Sequence, residues 1–295
     1  MTRVLVTGSE GFIGSHVAAL MRSKGFEVFT MDLVGEGPRH TLMDLRSKEL
    51  ETFVSRIHPD VIIHLAAQVD VVSSLSNPRD DLEINGLGTL ALVQAAGFAG
   101  VKKFIFVGSG GAIYDSSSPM PVNETANTNP VSPYGLSKLL AEGYVRIFCQ
   151  EFRIEWASLA LSNCYGDVKH HKRGVIYNFY NCLIHDEAPV INGAEVTRDF
   201  VHVDDVSRAI LLAIGKTPNC RINISSNSEV TLLELYKLVA SVLGKDTLPS
   251  IRDLREGDVL RSRLDNSLAK KLLGWSPDLD LISGLKKSLL DDGSL

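Results

Sequence analysis

The chain has 295 residues, 44% of them hydrophobic, and a formal net charge of −5. That length buries a substantial core, as one large domain or as two that share an interface. The mildly acidic balance speaks against nucleic acid or anionic lipid as a partner, and no apolar run reaches the roughly 20 residues that cross a bilayer.

In chain order, Arg3–Gly8 is a short apolar run ending on a glycine, the pattern of a buried parallel strand. Its start at Met1 shows no signal-peptide layout. Residues 15–25 repeat apolar positions at helical spacing and stop at Gly25. Residues 26–32 form a second strand closing on Asp32, residues 50–60 a helix and residues 61–67 a third strand. A long helix over 81–100 and a buried strand over 102–109 follow. Strands alternating with helices predict an α/β fold, a doubly wound parallel sheet of Rossmann type. Residues 110–135, rich in Pro, Ser and Asn, read as a loop. Beyond Leu161 the alternation weakens, which places a boundary near Tyr165: 1–165 would hold a dinucleotide and 166–295 a smaller substrate part. Segments near 198–206 and 222–227 are expected to pack back on the first part. Cys149, Cys164, Cys182 and Cys220 form no metal or disulfide spacing, so free thiols in a reducing cytoplasm, and no metal, are expected.

The stretch Thr7–Ser15 carries Gly8, Gly11 and Gly14 between a strand and a helix. Gly8 allows a tight turn, Gly11 lets a pyrophosphate approach the backbone, and Gly14 lets the helix pack closely on the sheet. The helix N-terminus then presents free N–H groups to the phosphates. Asp32 ends the second strand, where a carboxylate accepts from ribose hydroxyls and repels a 2′-phosphate, which favours NAD over NADP.

The GxxGxxG spacing, together with the Pro-Tyr-Gly-Leu-Ser-Lys run from 133 to 138, resembles the extended short-chain dehydrogenase/reductase family, and within it the nucleotide-sugar (UDP-hexose) 4-epimerases. The likeness runs through the segments around Asp44, His64–Gln68, Asn85, Asn163, Arg198, Arg255 and Asp258, in order. It implies that Phe12, Ile13, Leu45, Leu65, Ala66 and Ala67 line the cofactor site and that Asp44 bonds the adenine amino group. By the same resemblance Asn85 fixes helix geometry and a water beneath Lys138. Asn163, Val175, Arg198, Arg255 and Asp258 would meet the substrate, with Ser109 and Gly110 at the sugar. A homodimer is the family habit.

Tyr134 and Lys138 are four apart on a helical pattern, so they share one face. A free phenol titrates near 10, and lowering it to about 7 needs roughly 4 kcal/mol of differential stabilisation. An adjacent ammonium acts in that direction. By resemblance Tyr134 takes the proton of a sugar hydroxyl as hydride leaves the same carbon. The family hydroxyl residue, four before Tyr114, falls on Gly110 here, so Ser109 is the nearest substitute. Gly111 and Ala112 stand where family dehydratases, decarboxylases and 3,5-epimerases carry proton-transferring groups, which leaves hydride and hydroxyl-proton chemistry alone.

His64 and His202 read as satisfied core histidines, the basic run around His170–Arg173 as a solvated loop, and Asp204 or Asp205 as a helix N-cap. Ser262 replaces a bulky tyrosine of epimerases that exclude N-acetyl groups, so a 2-acetamido sugar would fit. The expected activity is NAD-dependent 4-epimerisation of a nucleotide diphosphate sugar (UDP-hexose, UDP-N-acetylhexosamine or UDP-uronic acid) through a 4-keto intermediate. Two other readings use the same residues: an NAD(P)-dependent keto-sugar reductase, and a catalytically silent NAD or sugar-nucleotide binder.

Overall fold

A computed structural model describes residues 1–168, 171–216, 218–254 and 259–290. The first half runs β1 (Arg3–Thr7), α1 (Phe12–Ser23), β2 (Glu27–Asp32), β3 (His40–Leu42), α2 (Leu50–Ile57) and β4 (Val61–His64). Then come α3 (Val71–Ser76), α4 (Pro78–Asp81), a π-helical turn (Leu82–Leu87), α5 (Gly88–Phe98), β5 (Lys103–Ser109), α6 (Gly110–Ile113), α7 (Pro133–Glu151) and β6 (Glu155–Leu161). The remainder is β7 (Asn163–Tyr165), α8 (Gly174–Ile184), β8 (Val190–Asn192), β9 (Thr197–Arg198), β10 (Phe200–His202), α9 (Val203–Ile214) and β11 (Cys220–Ile224). It closes with β12 (Val230–Thr231), α10 (Leu232–Leu243), β13 (Ser250–Arg252), α11 (Ser267–Leu273) and α12 (Leu281–Leu290).

Seven parallel strands form one sheet in the order β11-β6-β5-β4-β1-β2-β3. The order reverses between β1 and β4, and in doubly wound sheets ligands bind at that switch point, beyond the carboxyl ends of the strands. Alternate residues of β1 feed the two faces. Val4 and Val6 pack with Val17 and Met21 of α1, Ile210 of α9 and Trp275. Leu5 packs on the other face with Phe53 of α2, Leu92 of α5 and Val145 of α7. A third cluster joins Phe179 of α8, Leu235 and Tyr236 of α10 and Leu285 of α12 beyond the sheet. The chain also returns from that part, because β11 pairs with β6 at the sheet edge and α9 packs on α1.

Three local expectations change. The helix expected over 81–100 is broken by the π-helical turn at Leu82–Leu87, around the buried Asn85. The loop expected over 110–135 contains the short helix α6, and Val122 and Tyr114 pin it to Leu264 and Thr128. The N-cap of α9 is His202, which accepts from the Asp204 N–H, while Asp205 lies buried and accepts from the backbone N–H groups of Asp278 and Leu279.

Candidate active site

The glycine turn rises from the end of β1. Gly8 holds φ +71°, and a side chain there would press on the Ala66 nitrogen at 2.6 Å. At Gly14 a Cβ would overlap the Gly8 carbonyl oxygen, so only glycine lets α1 start this close to the turn. Asp32, at the end of β2, accepts from the Glu10 N–H at 2.9 Å and from the Leu33 N–H at 2.6 Å.

These groups open on a cavity of about 1080 Å³ that continues past Asp44, Leu45, Leu65, Ala66 and Ala67 to Ser109, Tyr134 and Lys138. Gly11, Phe12, Ile13 and Gly14 line it as well. A cradle without side chains at one end, a carboxylate at the strand terminus and a phenol–ammonium pair at the other end fit a dinucleotide. Arg46 grips Asp44 in a bidentate pair at 2.7–3.0 Å and holds its carboxyl below the ordinary range. A second cavity of about 310 Å³ abuts the first and is lined by Asn163, Val175, Cys164 and Phe200.

Tyr134 enters from the first turn of α7. Ser132 caps that helix by accepting from the Gly135 N–H at 3.1 Å, and Pro133 takes the position where no N–H is needed. The Tyr134 N–H donates to the Ser74 hydroxyl at 3.2 Å. Burial pushes the phenol up and the nearby Asp81 carboxylate adds to that, while Ser109 on the same cavity lining acts the other way. In the chain alone the phenol is therefore pushed up rather than down, because desolvation is the larger effect. Lys138 is buried, with Nζ 4.4 Å from the Phe106 ring centroid. Burial lowers its titration to about 8, against the pull of Asp81 and Glu142.

Gly110 lines neither cavity, and a side chain there would collide with Leu264; Ser109 is the hydroxyl on the wall. Asn85 lies behind the wall. Its amide oxygen accepts from the Gln68 N–H at 2.9 Å, and its nitrogen donates to the Gln68 carbonyl at 2.9 Å and to Ser137 and Asp81 at 3.1 Å. Arg198 also lines neither cavity; it donates to the carbonyls of Thr197 and Val259, each at 2.8 Å. Ser262 is buried near Gly111, off both linings. Arg255 and Asp258, like His170, lie outside the described residues.

His64 is a satisfied core residue. Ala66 N–H donates to Thr7 Oγ1 at 3.2 Å, Thr7 bonds His64 Nδ1 at 2.8 Å, His64 Nε2 bonds Thr89 at 2.9 Å, and Thr89 donates to the Asn85 carbonyl at 2.6 Å. Only a neutral ring with its proton on Nε2 completes that chain, and burial with the Lys138 charge lowers its titration to about 3. The basic run is not merely a solvated loop. His171 stacks on Phe12 at 4.1 Å between centroids, and His171, Lys172 and Arg173 line the large cavity. His171 and Arg173 line the smaller one too. The charges of that run hid its placement, because nothing in its spacing marks the stack on Phe12. Two other wall residues, Gln68 and Cys164, carry no spacing signal either.

Among solved structures, UDP-glucose 4-epimerase of Thermotoga maritima, described with UDP-glucose, superposes with a TM-score of 0.93 at 36% identity over 98% of this chain and 97% of that one. UDP-glucose 4-epimerase of Thermus thermophilus, described in complex with NAD, gives a TM-score of 0.89 at 31% identity over 98% of each chain. UDP-glucose 4-epimerase of Mycolicibacterium smegmatis is 33% identical over 97% of both sequences. The model of the NAD dependent epimerase/dehydratase family matches residues 4–225, from β1 through β11, so the match takes in the whole sheet and both walls of the large cavity. On that match the chain belongs to the NAD-dependent epimerase/dehydratase family.

Proposed function

We propose that the protein interconverts C4 epimers of a nucleotide diphosphate sugar, UDP-linked, with Tyr134 as the proton-transferring group. The observation that carries this reading is that Ser109, Tyr134 and Lys138 line the same cavity as the glycine turn and Asp32. When bound, NAD supplies the acceptor and donor for the C4 hydride. Gly8, Gly11 and Gly14 would face its pyrophosphate, Asp32 a ribose and Asp44 the adenine. Tyr134 Oη takes the C4 hydroxyl proton and returns it after the 4-keto sugar has turned over in the pocket. Ser109, on the same lining, would hold the sugar hydroxyl near the phenol. Lys138, charged and buried, favours the phenolate. Gly111 and Ala112 offer no further acid or base. Asn163 and Val175 would hold the sugar nucleotide in the smaller cavity, with the 166–295 part, less its returning segments, as its platform.

The enzyme would work in the cytoplasm, where its four free cysteines stay reduced. It would pair as a homodimer. Leu136, Leu140 and Ile147 form an exposed apolar stripe on α7 that a second copy would cover.

Purified protein given UDP-glucose, UDP-N-acetylglucosamine and UDP-glucuronic acid should yield a C4 epimer of at least one, resolved by chromatography, with no net absorbance of reduced nicotinamide. Tyr134→Phe should keep NAD binding and lose turnover. Net reduction of the cofactor, or near-normal turnover by Tyr134→Phe, would refute the proposal.

A further inference from the structure

Asp81 ends α4 and is only 1% exposed. Its Oδ1 accepts from Gln68 Nε2 at 2.9 Å and from Asn85 Nδ2 at 3.1 Å. Its Oδ2 is buried without a hydrogen-bond partner among the described residues. Buried carboxylates normally meet a cation or a full set of donors. Among the described residues Asp81 hydrogen-bonds two neutral amides and no cation, and its charge acts at longer range on Lys138 and Tyr134.

Of the other groups facing the pair, Glu142 also acts on Lys138, but its carboxylate already has a cation of its own. Glu142, one turn beyond Lys138, is held by Arg221 at 2.6 Å and accepts from Ser158 at 2.7 Å. His64, from β4, is neutral, and Phe106, from β5, offers a ring face. Among the described residues no carboxylate lies within ion-pair distance of Lys138, so the field of Asp81 acts through the short buried space around Asn85.

We propose that Asp81 is a positioning residue of the Tyr134–Lys138 pair: it orients the Asn85 amide and supplies the counter-charge that keeps Lys138 protonated while Tyr134 exchanges its proton. This rests on the reading of Tyr134 and Lys138 given above. The carboxylate stabilises the ammonium and opposes the phenolate, so it raises both titrations together. Removing the charge while keeping the shape must lower both.

The test compares wild type with Asp81→Asn, Asp81→Glu and Gln68→Lys, the last placing a cation beside the intact carboxylate from a partly exposed loop. Ionisation of Tyr134 is read by ultraviolet difference titration with Tyr134→Phe as the blank. No sugar nucleotide is present, so a mistaken substrate leaves this readout intact, whereas turnover by Tyr134→Phe tests the parent reading separately. Asp81→Asn should shift the Tyr134 titration, and with it the pH profile of kcat, down by about one unit. Gln68→Lys should shift both the same way by less, and decides the matter if Asp81→Asn does not fold. Asp81→Glu, which keeps the charge, should restore the wild-type position on the pH axis even at lower kcat. A uniform fall in kcat with neither titration moved would overturn the proposal, because a purely structural carboxylate gives that result.

Discussion

Ser109 and Tyr134 line the same large cavity, while the missing side chain of Ser109's neighbour Gly110 would point into Leu264. Strand β5 thus delivers its last residue to the wall, and α6 turns the next one away. Ser109→Ala should lower kcat about 10- to 100-fold, the equivalent of about 1.4–3 kcal/mol, with a smaller change in KM. Gly110→Ser should not rescue it and should lower the melting temperature, because the added atoms meet a buried leucine. Steady-state kinetics of epimer formation check both; an unchanged kcat in Ser109→Ala would assign the hydroxyl's work elsewhere.

Lys138 titrates at about 8 because burial outweighs two nearby carboxylates. If its charge supports the phenolate, turnover should fall as pH rises through about 8. Lys138→Arg, whose guanidinium stays charged, should flatten that fall even at reduced kcat. The effect on stability has the opposite sense. The folded value lies below the ordinary lysine value of 10.5, so between about 8 and 10.5 the unfolded chain binds more protons, and stability gains with rising pH from this group. Urea midpoints across that window should show the gain in wild type and its loss in Lys138→Met.

Much of this architecture is visible in residue order. Apolar runs ending in glycine mark the strands, and a carboxylate at the end of the second strand marks one end of the large cavity. The four-residue spacing of Tyr134 and Lys138 survives because α7 is regular over nineteen residues. What escapes has physical reasons. The widened turn at Leu82–Leu87 follows from buried hydrogen bonds to Asn85, which helical periodicity does not encode. Asp81 opens the stretch that reads as one long helix, and its burial comes from the packing of α4 against α3, α7 and the π-helical turn, which residue order does not encode. Ser109 rather than Gly110 reaches the wall because the backbone direction at the end of β5 decides it, not residue type. Strands of two or three residues, such as β9, β10 and β12, are too short for a periodic signal.

His64 is held neutral, with a titration near 3 against an ordinary 6.5. The folded state therefore binds the proton only well below the pH at which the unfolded state does. Stability from this site should be intact above 6.5 and should fall as pH drops from 6.5 toward 3. The loss is on the order of a few kcal/mol at its full extent. His64→Gln should be less stable at neutral pH, because the bonds to Thr7 and Thr89 lose their geometry, yet less sensitive to acid. Denaturation midpoints of the two proteins over that pH range measure the difference; parallel curves would exclude His64 as the acid-sensitive group.

Asp32 directs both carboxylate oxygens at backbone N–H groups on the rim of the large cavity, so its charge is fixed in place. A ribose with free hydroxyls can accept that neighbour, whereas a 2′-phosphate meets like charge. Asp32→Ala should weaken NAD by about 10-fold or more, the worth of one or two charge-assisted hydrogen bonds, while weakening NADP less or strengthening it. Calorimetric titration of both dinucleotides into each protein gives the ratio. A loss equal for the two would mean that Asp32 shapes the loop and does not read the ribose.

Leu136, Leu140 and Ile147 expose 60%, 38% and 52% of their surfaces along one side of α7, the helix whose inner side carries Tyr134 and Lys138. Spacings of four and seven residues put them in a single stripe, next to the exposed Leu87 of the π-helical turn that packs against the same helix. Contiguous apolar surface on a folded chain is normally covered by a partner, and a stripe that matches itself across a two-fold axis suits a second copy. Leu140→Glu should therefore shift sedimentation equilibrium from dimer toward monomer. It should also lower kcat moderately while leaving the pH profile in place, because loosening the outer side of α7 disturbs the position of Tyr134 while the new carboxylate faces solvent on the side away from the buried Lys138. A wild-type protein that sediments as a monomer at micromolar concentration would rule the stripe out as a self-association surface.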